Sequence, residues 1–174
     1  MVKKIRNSIL RLIKGDITDL EVEAFVFYAR SDLKLGSGYG NAIAVRGGPS
    51  IKKELDELAP REVGDVVITS AGNMKAQHII HAVGPKFQEP QTEEKLMKTL
   101  QNTLKLAEEK GIKQIALPPL GCGFYGIPLP VCAQIMIEGI QSHLMNSSNL
   151  QEVIICALDT REYIPFQKRL EGLK

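Results

Sequence analysis

Hydrophobic and polar positions alternate between two periods along this chain, and the alternation predicts strands and helices in turn. Ile5 to Ile13 carry Ile5, Ile9, Leu10, Leu12 and Ile13 and read as a strand with one face partly exposed. Val22 to Tyr28 (VEAFVFY) form an apolar run of strand-forming residues and predict a central strand. Further strands are predicted over Val66–Ser70, Gln77–Val83, Lys113–Leu117 and Leu150–Leu158. Between them the spacing turns helical. A short helix is predicted over Asn41–Val45, halted by Gly47-Gly48-Pro49. A second covers Ser50–Leu58, with apolar residues at 51, 55 and 58. The best helical pattern, Thr92–Lys110, has Leu96, Leu100, Thr103, Leu104 and Ala107 as its inner stripe, Thr92 as its cap and Gly111 as its stop. Two more helices are expected over Pro130–Leu144 and Pro165–Leu170, the last with proline in its first turn.

Strands alternating with helices imply an α/β fold, with a mixed, mostly parallel sheet covered on both faces. The runs around Val26, Ile115 and Ile154-Ile155 are apolar without alternation, as doubly covered strands should be. A chain of 174 residues suits one domain, 1–174.

Two segments stand out against this background. In IALPPLGCGFYGIP, Ile115 to Leu117 end a strand, Pro118-Pro119 stop it, and Gly121, Gly123 and Gly126 follow before a helix begins near Leu129. Leu35-Gly36-Ser37-Gly38-Tyr39-Gly40 repeats the layout after the second strand. Strand, glycine loop, helix aims bare backbone N–H groups at an anion. In open α/β sheets ligands sit beyond the carboxyl ends of strands. Two such loops at one sheet edge suit a ligand carrying a diphosphate. Ordinary turn chemistry is the alternative for either loop taken alone.

Composition narrows the field. Hydrophobic residues make up 44% and charged residues 24%, with a net charge of +2, too mild to argue for nucleic acid. Cys122, Cys132 and Cys156 are scattered without a CxxC, which predicts free thiols and a reducing, cytoplasmic setting. His78 and His81, three apart in a strand, point to opposite faces, so no metal cluster is expected. No long apolar run or leader-like start is present, so neither a membrane span nor a signal peptide is expected. The spacing Gly36-Ser37-Gly38-Tyr39-Gly40 is wrong for a dinucleotide fingerprint and follows the second strand rather than the first.

The order Gly15-Asp16-Ile17-Thr18, Val22–Val26, Gly36-Ser37-Gly38, Val67–Ser70, Ile80–Pro85 and Pro118–Pro128 resembles the macro domain, or Appr-1-p processing, family from about Ile9 to Asp159. The resemblance implies a three-layer α/β/α sandwich that binds ADP-ribose or related nucleotides without a cofactor. It also implies an alternative, a hydrolase acting on ADP-ribosyl esters, O-acetyl-ADP-ribose or ADP-ribose 1''-phosphate. Asp16 matches the acid that accepts from the adenine amine, with Ile17 as its neighbour; a turn-stabilising carboxylate is the plainer reading of Asp16. Gly36, Ser37, Gly38, Tyr39 and Gly40 match one diphosphate loop. Leu120, Gly121, Cys122, Gly123, Phe124, Tyr125 and Gly126 match the other, with Phe124 or Tyr125 walling the proximal ribose or simply packing.

Three positions depart from the family pattern. Where the family reads Asn-Ala-Ala-Asn, this chain has Phe27-Tyr28-Ala29-Arg30. Arg30 cannot act as a base, but its fork can clamp a phosphate, or it can pair with Asp32. Tyr39-Gly40 replace the family's valine and acid, and Leu158 stands where an aromatic ring stacks on adenine. Asp32, His81 and Asn41 remain as side chains able to assist a water, His81 more simply as a packed strand residue.

Overall fold

The computed structural model describes residues 1–123, 125–146 and 148–173. Among these, strands β1 (Val2–Ile5), β2 (Ser8–Lys14), β3 (Ala24–Ala29), β4 (Val66–Ser70), β5 (His78–Val83), β6 (Gln114–Leu117) and β7 (Glu152–Ala157) form one sheet in the order β1-β2-β7-β6-β3-β5-β4. From β2 through β5 in that order, neighbours run parallel, while β1 and β4 close the two edges antiparallel. The sheet is therefore mixed and mostly parallel, as its apolar runs predict.

Five helices accompany it among the described residues: α1 (Tyr39–Gly47), α2 (Pro49–Leu58), α3 (Thr92–Glu109), α4 (Leu129–Met145) and α5 (Thr160–Glu171). The pleat sorts each central strand between two cores. Val26, Ile115, Leu117, Val153 and Ile155 face one way, against Leu96, Leu100, Met136, Ile140 and Phe166 of α3, α4 and α5. Phe25, Ala116, Ile154 and Cys156 face the other way, against Ile43, Ile51 and Leu55 of α1 and α2. The result is the expected three-layer α/β/α sandwich. Each fully buried Leu, Ile or Phe contributes about 1.5–3 kcal/mol, so both cores weigh on stability.

The elements differ from the sequence reading at both chain ends. The strand expected over Ile5–Ile13 is a hairpin, because Arg6 takes a left-handed conformation (φ 55°) and reverses the chain between β1 and β2. The last helix starts at Thr160, not at Pro165, which lies within it. Asp159 caps that helix by accepting from the Glu162 amide at 2.9 Å, and the Glu162 carboxylate in turn accepts from the Leu158 amide at 2.7 Å. Thr92 does not cap α3; its hydroxyl donates back to the carbonyls of Lys86 and Glu89.

Candidate functional site

Neighbouring strands β3 and β6 run parallel, so the segments that follow them leave the sheet at the same edge. After Ala29 the chain turns at Arg30, whose carbonyl accepts from the Leu33 amide at 3.0 Å. The Asp32 carboxylate accepts from the Lys34 amide at 3.0 Å, which together with the Arg30 guanidinium holds its pKa below the ordinary carboxylate value. Gly38 follows at φ 61° and serves as the N-cap of α1 without any side chain to close it. The left-handed backbone there explains the glycine.

The second loop is tied down differently. Pro118-Pro119 end β6, and Gly121 (φ 76°) begins a turn in which its carbonyl accepts from the Ile127 amide at 2.9 Å. Sulfur groups hold Leu120 from below. Its amide donates to the Met136 thioether at 3.4 Å, and its carbonyl accepts from the Cys132 thiol at 3.3 Å and the Cys122 thiol at 3.7 Å. Burial pushes the Cys132 thiol well up, so it stays protonated as a donor.

A cleft of about 810 Å³ lies between the two loops. Among the described residues, the amides of Gly36, Ser37 and Gly38 on one wall, and of Gly121 and Gly123 on the other, donate no hydrogen bond. Unsatisfied donors gathered in one cleft make an anion site. The side chains around them are mixed in sign: Arg30 and Lys86 against Asp32, Glu89 and Glu162. The backbone therefore supplies the anion chemistry more than net side-chain charge does.

The aromatic wall is built by β3 and the loop after β6. The Tyr28 ring meets that of Tyr125 edge to face at 4.9 Å, and the Tyr28 hydroxyl donates to the Pro85 carbonyl. Burial pushes both phenols up, keeping them neutral. The Phe87 amide donates to the Tyr125 carbonyl at 2.9 Å, which joins the loop after β5 to the loop after β6.

The cleft gathers most of the residues expected from the sequence. Ile17, Arg30, Gly36, Ser37, Gly38, Tyr39, Gly121, Gly123 and Tyr125 line it. Asp16, Gly40, Leu120, Cys122, Gly126 and Leu158 do not, and Phe124 lies outside the described residues. One oxygen of Asp16 caps the short turn Ile17–Asp19, accepting from the Thr18 amide at 2.9 Å and the Thr18 hydroxyl at 2.6 Å; the other lies 3.5 Å from the exposed guanidinium of Arg46. Leu158 is half exposed. Arg30 pairs with Asp32 at 2.8 Å, as the plainer reading has it, and also lies along Gly36. Val63, Gly84, Lys86, Glu89 and Glu162 also line the cleft and were not anticipated. The end of β5, next to β3 in the sheet, was a usable signal for Gly84, Lys86 and Glu89. Glu162 was hidden by the late start assigned to the last helix.

His81 belongs to the scaffold. It is 1% exposed, its ring meets Phe27 edge-on at 6.0 Å, and its Nε2 lies 2.9 Å from the Thr69 hydroxyl. That hydroxyl donates to the Ser70 carbonyl at 2.9 Å, so the ring nitrogen is the donor to it, and burial keeps the imidazole neutral. Burial lowers the His81 pKa from 6.5 to about 3. The unfolded chain then takes up this proton before the folded one. Stability is complete above pH 6.5 and falls as pH drops toward 3. The expected slope from this group is about 1.4 kcal/mol per pH unit. Urea midpoints at pH 7 and pH 5 check it, and His81→Leu should flatten the difference.

Among the described residues no group of three or more His, Cys, Asp or Glu side chains could hold a metal, and no helix is long and apolar enough to cross a membrane.

The macro domain family model matches residues 28–136, which span the Arg30 turn, both glycine loops and the aromatic wall. This chain belongs to the macro domain family. Relatives similar to this chain include a protein from Sulfurisphaera tokodaii, 40% identical over 159 residues, covering 89% of this chain and 87% of its own. Another is the O-acetyl-ADP-ribose deacetylase 1 of Pantoea vagans, 35% identical, covering 92% of this chain and 98% of its own. In three dimensions the chain is similar to a variant of the Oceanobacillus iheyensis macrodomain solved with ADPR (ADP-ribose), at a TM-score of 0.94 and 28% identity, covering 98% of this chain and 96% of that one.

Proposed function

We propose that this macro domain binds ADP-ribose, or a closely related nucleoside diphosphate, with the diphosphate held between the two glycine loops. The observation that carries this reading is the set of undonated amides on both walls of one cleft. An anion that accepts from them satisfies groups that otherwise depend on water. The tyrosine pair Tyr28–Tyr125 forms a neutral wall suited to a sugar face. The structural neighbour solved with ADPR supports the ligand class. The free thiols of Cys122, Cys132 and Cys156 support a reducing, cytoplasmic setting.

Calorimetry with ADP-ribose tests the proposal. A dissociation constant weaker than about 1 mM, a free energy near −4 kcal/mol, would remove it. The same titration checks Arg30. Its side chain is 53% exposed and already paired, so Arg30→Ala should weaken binding toward the low end of a charged hydrogen bond, about 1.5 kcal/mol. An unchanged affinity would assign the guanidinium to Asp32 alone.

The name of the Pantoea vagans relative favours a second reading, deacetylation of O-acetyl-ADP-ribose in the same cleft. Asp32 lines the cleft but spends its carboxylate on Lys34 and Arg30. Acetate release no faster than in buffer would dismiss this reading and leave the binding proposal untouched.

A further inference from the structure

Two thiols meet at the second glycine loop, and the binding reading uses neither. Cys122 stands between Gly121 and Gly123, which line the cleft, and is itself partly exposed. Cys132, near the start of α4, is buried. Both sulfurs converge on one atom, the Leu120 carbonyl oxygen, Cys122 at 3.7 Å and Cys132 at 3.3 Å. The two side chains also act on each other, with Cys122 in hydrogen-bonding reach of the Cys132 thiol. Cys156 sits apart from them, its thiol donating to the Gly15 carbonyl at 3.4 Å.

We propose that Cys122 and Cys132 are a peroxide-oxidisable pair whose disulfide draws the second glycine loop away from the diphosphate. The effect on the ligand rests on the binding reading above; the disulfide does not. Cys122, the accessible thiol, reacts first. Its sulfur attacks a peroxide oxygen, an S–O bond forms as the O–O bond breaks, and the departing oxygen leaves as water with the thiol proton. The Cys132 sulfur then attacks the Cys122 sulfur. The S–S bond forms, the S–O bond breaks, and the Cys132 proton leaves with that oxygen as a second water. The two sulfurs give up two electrons, and the peroxide takes them. Burial holds the proton on Cys132, which keeps that thiol out of the first step and leaves it the second.

A disulfide draws two sulfurs far inside van der Waals contact, so one residue must move. Cys132 is fixed, because Cys132, Ala133 and Met136 of α4 are buried in the core. Cys122 is free to move: glycines flank it, and around Gly123 no protein atom lies within 4 Å of a Cβ position. The amides of Gly121 and Gly123 turn with it, and these are the donors on this wall of the cleft.

The full chain is treated with hydrogen peroxide, remaining thiols are alkylated in denaturant, and the digest is mapped by mass spectrometry. The expected product is an internal Cys122–Cys132 cross-link, with Cys156 recovered alkylated and dithiothreitol restoring both thiols. Thiols that stay alkylatable, a cross-link between two copies of the chain, or Cys122 carried to sulfinic or sulfonic acid beside a free Cys132 overturns the proposal. Calorimetry with ADP-ribose reads the consequence. Oxidised wild type should bind at least about tenfold more weakly than reduced, the scale of one hydrogen bond to a charged group, and dithiothreitol should restore it. Cys122→Ser and Cys132→Ala are each compared with their own untreated form, and peroxide should leave the affinity of both where it was. A mapped disulfide with unchanged affinity overturns the coupling to the loop. An equal loss in Cys122→Ser overturns it too, by assigning the loss to another oxidised residue. If reduced wild type does not bind ADP-ribose, the binding reading falls, while the mapping still decides the disulfide.

Discussion

Gly123→Val is expected to abolish ADP-ribose binding while leaving the melting temperature where it is. Gly123 lines the cleft, is exposed, and has no protein atom within 4 Å of the position a Cβ would take. Its φ lies outside the left-handed region, so an L side chain is not strained there. The fold therefore gives no reason for glycine at this position. A ligand does: main-chain amides can cradle a phosphate only where no side chain holds it away. A valine would stand in the space that a diphosphate must enter. The affinity should fall at least 100-fold, about 2.7 kcal/mol, because losing the close approach disturbs several hydrogen bonds together. Calorimetry reads the loss, and a melt without ligand checks that the fold survives. Full affinity in this variant would reduce the loop to a turn.

The sheet and most helices were legible because a doubly covered strand and an amphipathic helix leave different periods. Val22 to Tyr28 and Lys113 to Leu117 could not be mistaken, and the order of strands then places both loops at one edge. The hairpin at Arg6 was not legible, since its left-handed residue is neither glycine nor asparagine. The start of α5 carried a signal in Asp159 and Glu162, an acid at the cap and another three residues on, but Pro165 obscured it. In the site, backbone chemistry was easier to find than side-chain chemistry. Glycines announce where amides can be approached, whereas Lys86, Glu89 and Glu162 reach the cleft through tertiary packing that no local pattern records. Asp16 shows the reverse case, a residue whose type suits two roles, turn anchor and ligand acceptor. With one oxygen on Thr18 and the other near Arg46, it now anchors a turn beside the cleft.

Gly40→Ala is expected to damage the fold itself. Gly40 is buried in the first turn of α1, with its amide donating to the Ser37 carbonyl at 3.2 Å. A Cβ placed there would lie 1.6 Å from the Leu35 carbonyl oxygen and 2.4 Å from the Leu35 carbonyl carbon. These are backbone atoms, so no rotamer change relieves the clash; the Leu35–Gly38 segment would have to move as a unit. Overpacking of this kind costs about 3 kcal/mol, the upper part of its usual range. For a chain of this size the melting temperature should drop by about 6–12 °C. The displaced segment carries Gly36, Ser37 and Gly38, so binding should weaken too, and in that order of cause: stability first, affinity as its consequence. The same geometry bears on catalysis. The family resemblance places an acid at this position in hydrolytic members, and in this chain Gly40→Asp would meet the Leu35 carbonyl before its carboxylate reached any water. Introducing the acid should therefore cost at least as much stability as alanine and create no esterase activity. A Gly40→Asp protein that melts like wild type and releases acetate from O-acetyl-ADP-ribose would show that the loop has another conformation open to it.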